Sequence, residues 1–285
     1  MTGMDLTQPE RTTPEEWASW RNSEAAREYP LLTYELFYEN GRADVVKRLR
    51  LELREMNTLA YKGPASLMFL HEYATRLNEA GTLDHVRHPE EDGVPKDMVV
   101  ATLALAFLHV PSYAMHSFAQ VLRDRLARYE EREPERALFP PEWVVDPEAF
   151  ASGLDFSSSE LDAGELAKLE AWYERVAGEV PRSVRYLAEF NPRLLKTWRA
   201  RWETAAAKVL PKQLIPYMLL TFEVGRGQPA AIREATLLAR GLGLAREEVL
   251  SATWWGMMFG GQGAIATVAE SVEDIVRAWP NEAHS

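Results

Sequence analysis

Two histidines flank the boundary between two predicted helices. His109 ends an apolar run and His116 follows seven residues later, with Tyr113 between them. An imidazole with an unperturbed pKa of about 6.5 can take or give a proton at neutral pH, and the free N–H groups of a helix start can hold an anionic oxygen. We predict that His109 and His116 are catalytic and that Tyr113 binds substrate by donating a hydrogen bond to a developing enolate. Alternatively, His109 is a hydrogen-bonded core residue and His116 an interface residue.

A second group of polar residues follows the apolar run LIPYMLLTF. Glu223 ends this run, so its carboxylate is either exposed at the helix end or partly buried with a shifted pKa. Arg226 or Arg233 can hold a substrate carboxylate through a two-pronged contact. We predict Glu223 as an acid or base, and Arg226, Gln228 and Arg233 as substrate-binding residues. Since Glu223 and Arg226 are three residues apart, they also fit a local ion pair.

Signatures of metal and cofactor chemistry are missing. The sequence has no HExxH, and His85 and His88 lie in TLDHVRHPEEDG, which has the composition of an acidic loop. His71-Glu72 is a lone pair of metal-ligand types. No Gly-x-Gly-x-x-Gly, phosphate-binding loop or Gly-x-Ser-x-Gly elbow occurs, and the chain has no cysteine. We therefore expect no metal and no cofactor.

The elements that must position these residues are predicted to be helices throughout. Apolar residues recur three or four apart, and alternating runs of β-branched residues are rare, so we expect an all-α helical bundle. Thr13-Pro14-Glu15-Glu16 has the layout of a capping box at the start of the first helix. Between residues 131 and 159 prolines and serines break the periodicity, which indicates a connector between an N-terminal half, 1–130, and a C-terminal half, 160–285.

Charge and hydropathy exclude several classes of partner. The formal net charge of −11 argues against a nucleic-acid binder, because phosphate contacts need clustered Lys and Arg. The apolar run from Met98 to Leu108 is about half of the ~20 residues that cross a bilayer. The N-terminus MTGMDLTQPERTT lacks the cationic start and apolar core of a secretory signal. We expect a cytoplasmic protein that binds a small molecule and neither membrane nor nucleic acid.

The two halves contain a weak internal match. The segment VPKDMVVATLALAFLHV aligns without a gap with LPKQLIPYMLLTFEVGR at an offset of 116 residues, with a Pro-Lys pair before each apolar helix. Either the halves are related by duplication, or two apolar helices share Leu and Ala by composition.

The C-terminal half, from about Val180 to Val276, resembles the carboxymuconolactone decarboxylase and alkylhydroperoxidase-D-like family. The resemblance lies in the order of features: VPRSVRYLAEFNPRLLKTWRARWE, a Leu-Pro-Lys helix start, a break at Gly225 to Gly227, and Gly243 before LAREEV. Where peroxidase members carry Cys-x-x-Cys and a histidine, this chain has Gln228, Ala231 and Ala235. Thiol peroxidase chemistry requires a thiolate, so the missing cysteines exclude it for this chain.

The resemblance implies a cofactor-free acid/base enzyme, because the decarboxylase members work by proton transfer in a pocket between helices at subunit contacts. It implies that His109 and His116 lie at the first-half counterpart of the reactive turn and that Trp254 borders the substrate pocket. Alternatively, the glycines and rings after Trp254 serve only helix packing. It also implies a homo-oligomer, a dimer or trimer.

The resulting hypothesis is a decarboxylase, isomerase or lyase that acts on a small organic acid, with a carboxylate as its substrate. The alternative is a protein that kept the scaffold without chemistry and acts as a small-molecule binder or assembly subunit, which the loss of every family cysteine favours.

Overall fold

The computed structural model describes residues 5–21, 36–56, 58–110, 116, 119–206 and 208–279. Regular structure in these ranges is helical, and none of them contains a strand. The prediction of an all-α fold is therefore confirmed. Among the residues described, no helix is both long enough and apolar enough to cross a membrane.

Contacts divide the chain into two units, Met1–Ala60 and Tyr61–Ser285. The first unit contains α1 (Pro14–Arg21) and α2 (Ala43–Met56). The helices of the second unit are α3 (Lys62–Thr75), α4 (Glu79–Asp92), α5 (Lys96–Ala106), α6 (Ala119–Ala127), α7 (Ala163–Ala177), α8 (Arg182–Phe190), α9 (Pro192–Ala206), α10 (Leu214–Arg226), α11 (Pro229–Gly241), α12 (Arg246–Gly260) and α13 (Gly263–Arg277).

The first unit has its own small core. Thr13 caps α1, since its Oγ1 accepts from the Glu16 amide at 3.1 Å, as the capping-box pattern predicts. The Glu16 carboxylate pairs instead with the fully buried Lys47, with 2.7 Å between Oε1 and Nζ. Trp17 stacks on Tyr38 with 4.3 Å between ring centroids. A buried ammonium is tolerated here because a carboxylate compensates its charge.

The stretch expected to be an acidic loop around His85 and His88 is a helix, so that expectation is wrong. The Asn78 side chain caps α4 by accepting from the Gly81 amide at 2.9 Å, and Gly93 ends it in a left-handed conformation with φ of 78°. The helix packs one face against α3, and His85 is among its buried residues. Tertiary burial of this face outweighs the polar composition that pointed to a loop.

The helices α10 and α12 pack with unusually close backbones. A Cβ added at Gly256 would lie 2.4 Å from the Val224 Cβ and 2.8 Å from the Thr221 carbonyl oxygen. Only a glycine permits this approach. Gly256 therefore serves the close packing of α12 on the largely buried α10, which is the helix that ends at the predicted site.

The segment between α6 and α7 contains a short 3-10 helix, Pro147–Phe150, and otherwise irregular structure. Hydrogen bonds connect this segment to helices of the second unit. The Trp143 indole donates to Glu248 Oε1 at 2.7 Å, and the buried Arg199 donates to the Phe150 carbonyl oxygen at 2.6 Å. Helices on both sides of this segment also pack together directly, α3 on α10 and α5 on α9. The division into related halves stays a prediction.

Candidate functional site

A pocket of about 280 Å³ lies where the C-terminal ends of α3, α5 and α10 meet. Its described lining combines two arginines and a histidine with apolar side chains: Thr75, Arg76, Leu77, His109, Val110, Phe222 and Arg226. Two of the residues predicted from the sequence, His109 and Arg226, therefore share this pocket. Helix ends bring them together, since each lies in the last turn of a helix or just beyond it.

His109 lies in the turn after α5. Its amide donates to the Ala106 carbonyl oxygen at 3.0 Å, and its ring lies 4.7 Å from the Phe222 ring, centroid to centroid. Among the described residues its Nε2 atom is buried without a hydrogen-bond partner. Burial, together with the positive charges of Arg226 and Arg201, lowers the pKa of His109 to about 4. The imidazole is thus neutral at pH 7 and leaves one nitrogen to accept a proton or a hydrogen bond.

Behind His109 lies a buried pair of ionisable groups on α3, His71 and Glu72. Both side chains are fully buried, and the His71 ring lies 5.6 Å from the His109 ring. The nearest approach within the pair is 4.0 Å, between His71 Nδ1 and Glu72 Oε1. Neither His71 nitrogen nor Glu72 Oε1 finds a hydrogen-bond partner among the described residues. Such buried orphan atoms are rare in folded proteins and mark a site for water or a ligand.

Burial controls which of these two groups carries the proton. It lowers the pKa of His71 well below its usual value, an effect that repulsion from His109 reinforces. Burial also raises the pKa of Glu72 to about 8, although Arg76 opposes it. At neutral pH the proton therefore resides on the carboxyl group and the imidazole is neutral, which is the reverse of the usual carboxylate–imidazolium pair.

Arg76 connects this buried pair to the pocket. Its Nη2 donates to Glu72 Oε2 at 3.3 Å, and its guanidinium lies 5.0 Å from the centroid of the Phe259 ring. The side chain passes over the backbone of Gly225, where an added Cβ would lie 2.5 Å from Nη2. A third of the Arg76 side chain is exposed. It can therefore pair with an anion in the pocket while it contacts Glu72.

Arg226 supplies the second positive charge at the pocket. Its guanidinium lies 5.2 Å from the centroid of the Phe222 ring. Burial raises the pKa of the neighbouring Glu223, and the charge of Arg226 opposes this shift. Glu223 does not belong to the described lining, yet it lies close enough to raise the pKa of Glu72 by repulsion. Its carboxyl group is thus coupled electrostatically to the site.

The other two polar residues predicted near Glu223, Gln228 and Arg233, lie at the start of α11 and on it. Arg233 points to α13, where it donates to both carboxylate oxygens of Asp274 at 3.0 and 3.1 Å. Gln228 is exposed and precedes α11, with its amide donating to the Glu223 carbonyl oxygen at 3.3 Å. Neither is among the described residues that line the pocket.

Two further predicted site residues, Trp254 and His116, are not among the described residues that line the pocket. Trp254 is half-buried on α12, and its neighbour Trp255 packs edge-on against Phe69 with 5.1 Å between centroids. His116 is exposed. Tyr113 lies outside the described residues.

Sequence reasoning missed Glu72 and Arg76 as site residues. Their signal is the sequence SLMFLHEYATR, in which a histidine and a glutamate interrupt an otherwise apolar helix and an arginine follows one turn later. Ionisable groups on the buried face of a helix need a partner, and Arg76 is the partner at the i+4 position.

His85 and His88 belong to a separate aromatic cluster on α3 and α4. The His85 ring stacks on Tyr73 with 4.3 Å between centroids, and its Nδ1 donates to the Gly81 carbonyl oxygen at 2.8 Å. His88 Nε2 accepts from Arg87 Nη2 at 3.0 Å. Within the described part of the chain, no group of three or more His, Cys, Asp or Glu side chains is arranged to hold a metal ion.

A wider groove of about 520 Å³ runs between α5 and α9. Small and apolar side chains line it, with charged residues at its rim: Lys96, Asp97, Val100, Ala101, Ala104, Glu131, Thr204, Ala205, Lys208 and Val209. It contains no histidine among the described residues. The smaller pocket is the better candidate for chemistry, because the neutral imidazole of His109 lines it beside two positive charges, one of which contacts the buried Glu72.

Searches of protein-family models, curated proteins and solved structures each find no match to this chain. The resemblance to the carboxymuconolactone decarboxylase family therefore stays a prediction, resting on the residues quoted for it.

Proposed function

We propose that the chain is a cofactor-independent acid/base enzyme that acts on a small organic acid in the pocket at the ends of α3, α5 and α10. The observation that carries this proposal is the position of His109, whose Nε2 atom lacks a partner among the described residues, in one pocket with Arg76 and Arg226. Two guanidinium groups favour an anion, and a carboxylate is the anion that their planar geometry pairs with best.

In the proposed reaction the arginines hold the substrate carboxylate and His109 moves the proton. A C–H bond next to a substrate carbonyl breaks, the proton passes to His109, and the electron pair moves to the carbonyl oxygen as an enolate. The guanidinium of Arg226 stabilises that enolate. In a β,γ-unsaturated substrate the enolate is conjugated, and return of the proton to the γ-carbon gives isomerisation. In a β-keto acid the bond to the carboxylate breaks instead, carbon dioxide leaves, its electron pair forms an enolate, and that enolate takes a proton at carbon.

The low pKa of His109, for which burial is the main cause, makes it a weak base in the empty pocket, and a bound carboxylate reverses part of the lowering. Part of the lowering comes from the charges of Arg226 and Arg201. An anion bound against Arg226 offsets that charge, so the pKa of His109 rises when substrate is present. The base thus becomes stronger in the complex in which it is needed.

A non-catalytic small-molecule binder is the second candidate function. Its support is the apolar wall formed by Leu77, Val110 and Phe222, together with the same low pKa of His109. A pocket with apolar walls and a few charged groups binds small anions without needing a base of matched strength.

Deuterium exchange distinguishes the two functions. Small 2-oxo acids and β-keto acids are incubated with the protein in deuterium oxide, and proton NMR follows loss of the C–H signals and appearance of products. We expect exchange or decarboxylation by the wild-type protein, and a rate about 10²–10⁴-fold lower for His109→Asn, the range of acid/base contributions.

His88→Asn is the matched control, because it removes a histidine of α4 that bonds to Arg87. It should leave the rate unchanged. Binding of the acids without exchange or product supports the binder, and a full rate in His109→Asn removes His109 from the proposed mechanism.

A further inference from the structure

The contact between Glu72 and Arg76 connects the ionisation of Glu72 to the binding of an anion by Arg76. Arg76 lies between a buried carboxyl group on its own helix and the pocket. Glu72 Oε2 accepts from Arg76 Nη2 at 3.3 Å, whereas Oε1 has no partner among the described residues. Arg76 is thus the cation that favours the ionised form of Glu72.

The other charged groups near Glu72 favour its neutral form. Glu223, on α10, repels its negative charge. His71, beside it on α3, and His109, after α5, are neutral and offer no compensating charge.

The helices α4 and α12 also pack near this part of α3 without offering Glu72 a cation among the described contacts. The acid of α4 that acts on His85, Asp84, pairs with Arg87 at 3.2 Å, and α12 contributes the Phe259 ring beside Arg76. Burial therefore favours the neutral form of Glu72, and Arg76 is the described cation that opposes this preference.

We infer that Glu72 is the resident proton carrier of this site, and that binding of a carboxylate to Arg76 is coupled to proton uptake by Glu72. This inference rests on the proposed anion-binding role of the pocket. An anion on Arg76 offsets the only cation beside Glu72 among its described contacts, so a buried ionised Glu72 becomes less favourable and the group takes a proton. Conversely, ionised Glu72 competes with the ligand for Arg76.

The coupling keeps Glu72 protonated in the complex up to a higher pH than in the empty site. His71 cannot take that proton at neutral pH, because burial keeps its pKa well below the usual value. The proton therefore stays on Glu72, next to the arginine that holds the substrate. Glu72 acts through Arg76 in this scheme, as a positioning residue and a local proton store.

Proton uptake on binding tests the inference directly. Propionate, an unreactive small carboxylate, is added to weakly buffered protein, and a pH indicator reports protons taken up, while saturation-transfer NMR reports binding. Near pH 8.5 we expect uptake of about half a proton or more per bound propionate, since burial raises the pKa of Glu72 to about 8 and binding raises it further.

Linkage then requires propionate affinity to fall as pH rises above about 8, by up to about tenfold per pH unit. Glu72→Gln should bind propionate with no uptake near pH 8.5 and with an affinity that no longer falls with pH. The matched control is Glu234→Gln, which removes another carboxyl group, half-buried, whose pKa burial raises to about 7. It should keep the uptake.

Should Glu72→Gln fail to fold, the pH dependence of propionate affinity in the wild-type protein decides alone. The inference is wrong if propionate does not bind, if affinity is independent of pH between about 7 and 9.5, or if uptake persists in Glu72→Gln and disappears in Glu223→Gln. Propionate is not turned over, so this result is separate from the proposed catalysis. Uptake without exchange of keto acids would overturn only the enzyme proposal, and exchange without uptake only the present inference.

Discussion

Arg76 reaches Glu72 across one turn of α3, with 3.3 Å between Nη2 and Oε2, and at the same time lines the pocket that contains His109. One end of this contact is fully buried, and the other is a third exposed. An i,i+4 ion pair on a helix surface contributes only a few tenths of a kcal/mol. Here the same spacing connects a buried carboxyl group to a guanidinium group that lines a cavity.

Gly225→Ala should displace that guanidinium with little effect on folding. The added Cβ would lie 2.5 Å from Arg76 Nη2, the flexible end of a long side chain, and 3.2 Å from the Phe259 Cβ. Ala in a helix is favoured over Gly by about 0.5–1 kcal/mol, which offsets part of the crowding. We expect propionate affinity to fall roughly tenfold, as loss of one charge-assisted hydrogen bond predicts, while the thermal midpoint stays close to wild type.

Gly263→Ala is the matched control for that change, because a Cβ at Gly263 would meet open space. It should alter neither binding nor the thermal midpoint appreciably. Unchanged propionate affinity in Gly225→Ala would show that Arg76 does not hold the anion.

The stability of the protein should fall between pH 6.5 and 8. In this range folded Glu72 keeps a proton that the unfolded chain releases, because burial raises its pKa from 4.5 to about 8. The folded state therefore binds more protons, and the free energy of unfolding decreases as pH rises, by about 1.4 kcal/mol per pH unit for one proton. Glu234 adds to the loss up to about pH 7.

The buried histidines His85 and His109 do not contribute to the change in stability between pH 6.5 and 8. Burial lowers the pKa values of His85 and His109 from 6.5 to about 4, so their stabilising contribution is lost as pH falls from 6.5 to 4. Urea unfolding at several pH values measures the slope. Glu72→Gln should flatten it above pH 7, whereas the exposed Glu135→Gln should not, and an equal slope in both variants would contradict the burial effect on Glu72.

Local signals in the sequence predicted much of the helical frame and part of the site. The cap at Thr13 and the apolar runs before His109 and Glu223 are encoded in neighbouring residues, and they produce helices ending close to the predicted positions. His109 and Arg226 meet because two apolar helices end at the same pocket. Apolar periodicity is a strong signal for such helices.

The features that the sequence did not predict depend on packing between segments far apart in the chain. The helix α4 forms around His85 and His88 because α3 covers its buried face, which its polar composition does not reveal. Arg233 pairs with Asp274, forty-one residues away on α13. Glu72 became a site residue only when folding brought α10 and the end of α5 against α3. Such contacts depend on distant segments that periodicity does not link.

Gly256→Ala should destabilise the protein strongly. The Cβ would overlap the Val224 side chain at 2.4 Å and approach the Thr221 carbonyl oxygen at 2.8 Å, and the carbonyl belongs to the rigid α10 backbone. Overpacking of this kind typically costs about 1–3 kcal/mol. Urea unfolding measures the loss, again with Gly263→Ala as the control; wild-type stability would mean that α10 and α12 lie farther apart than described here.

Replacing His71 should separate stability from function. Neither His71 nitrogen has a hydrogen-bond partner among the described residues, although the side chain is fully buried. Replacing an unpaired buried polar group with an apolar one is neutral or stabilising, so His71→Leu should gain up to about 1–3 kcal/mol of stability if its nitrogens do nothing else. Such gains often come with lost function when the polar group serves a site.

Thr102→Val provides the comparison for His71→Leu, because the Thr102 hydroxyl is also buried and unpartnered among the described residues, and lies on α5 outside the pocket lining. Both variants should unfold at equal or higher urea concentration than wild type. Only His71→Leu should also change the propionate-linked proton uptake near pH 8.5, because it replaces a polar ring 4.0 Å from the Glu72 carboxyl group with an apolar side chain. If His71→Leu instead destabilises the protein while Thr102→Val does not, the His71 nitrogens hold ordered water or a ligand that contributes to folding.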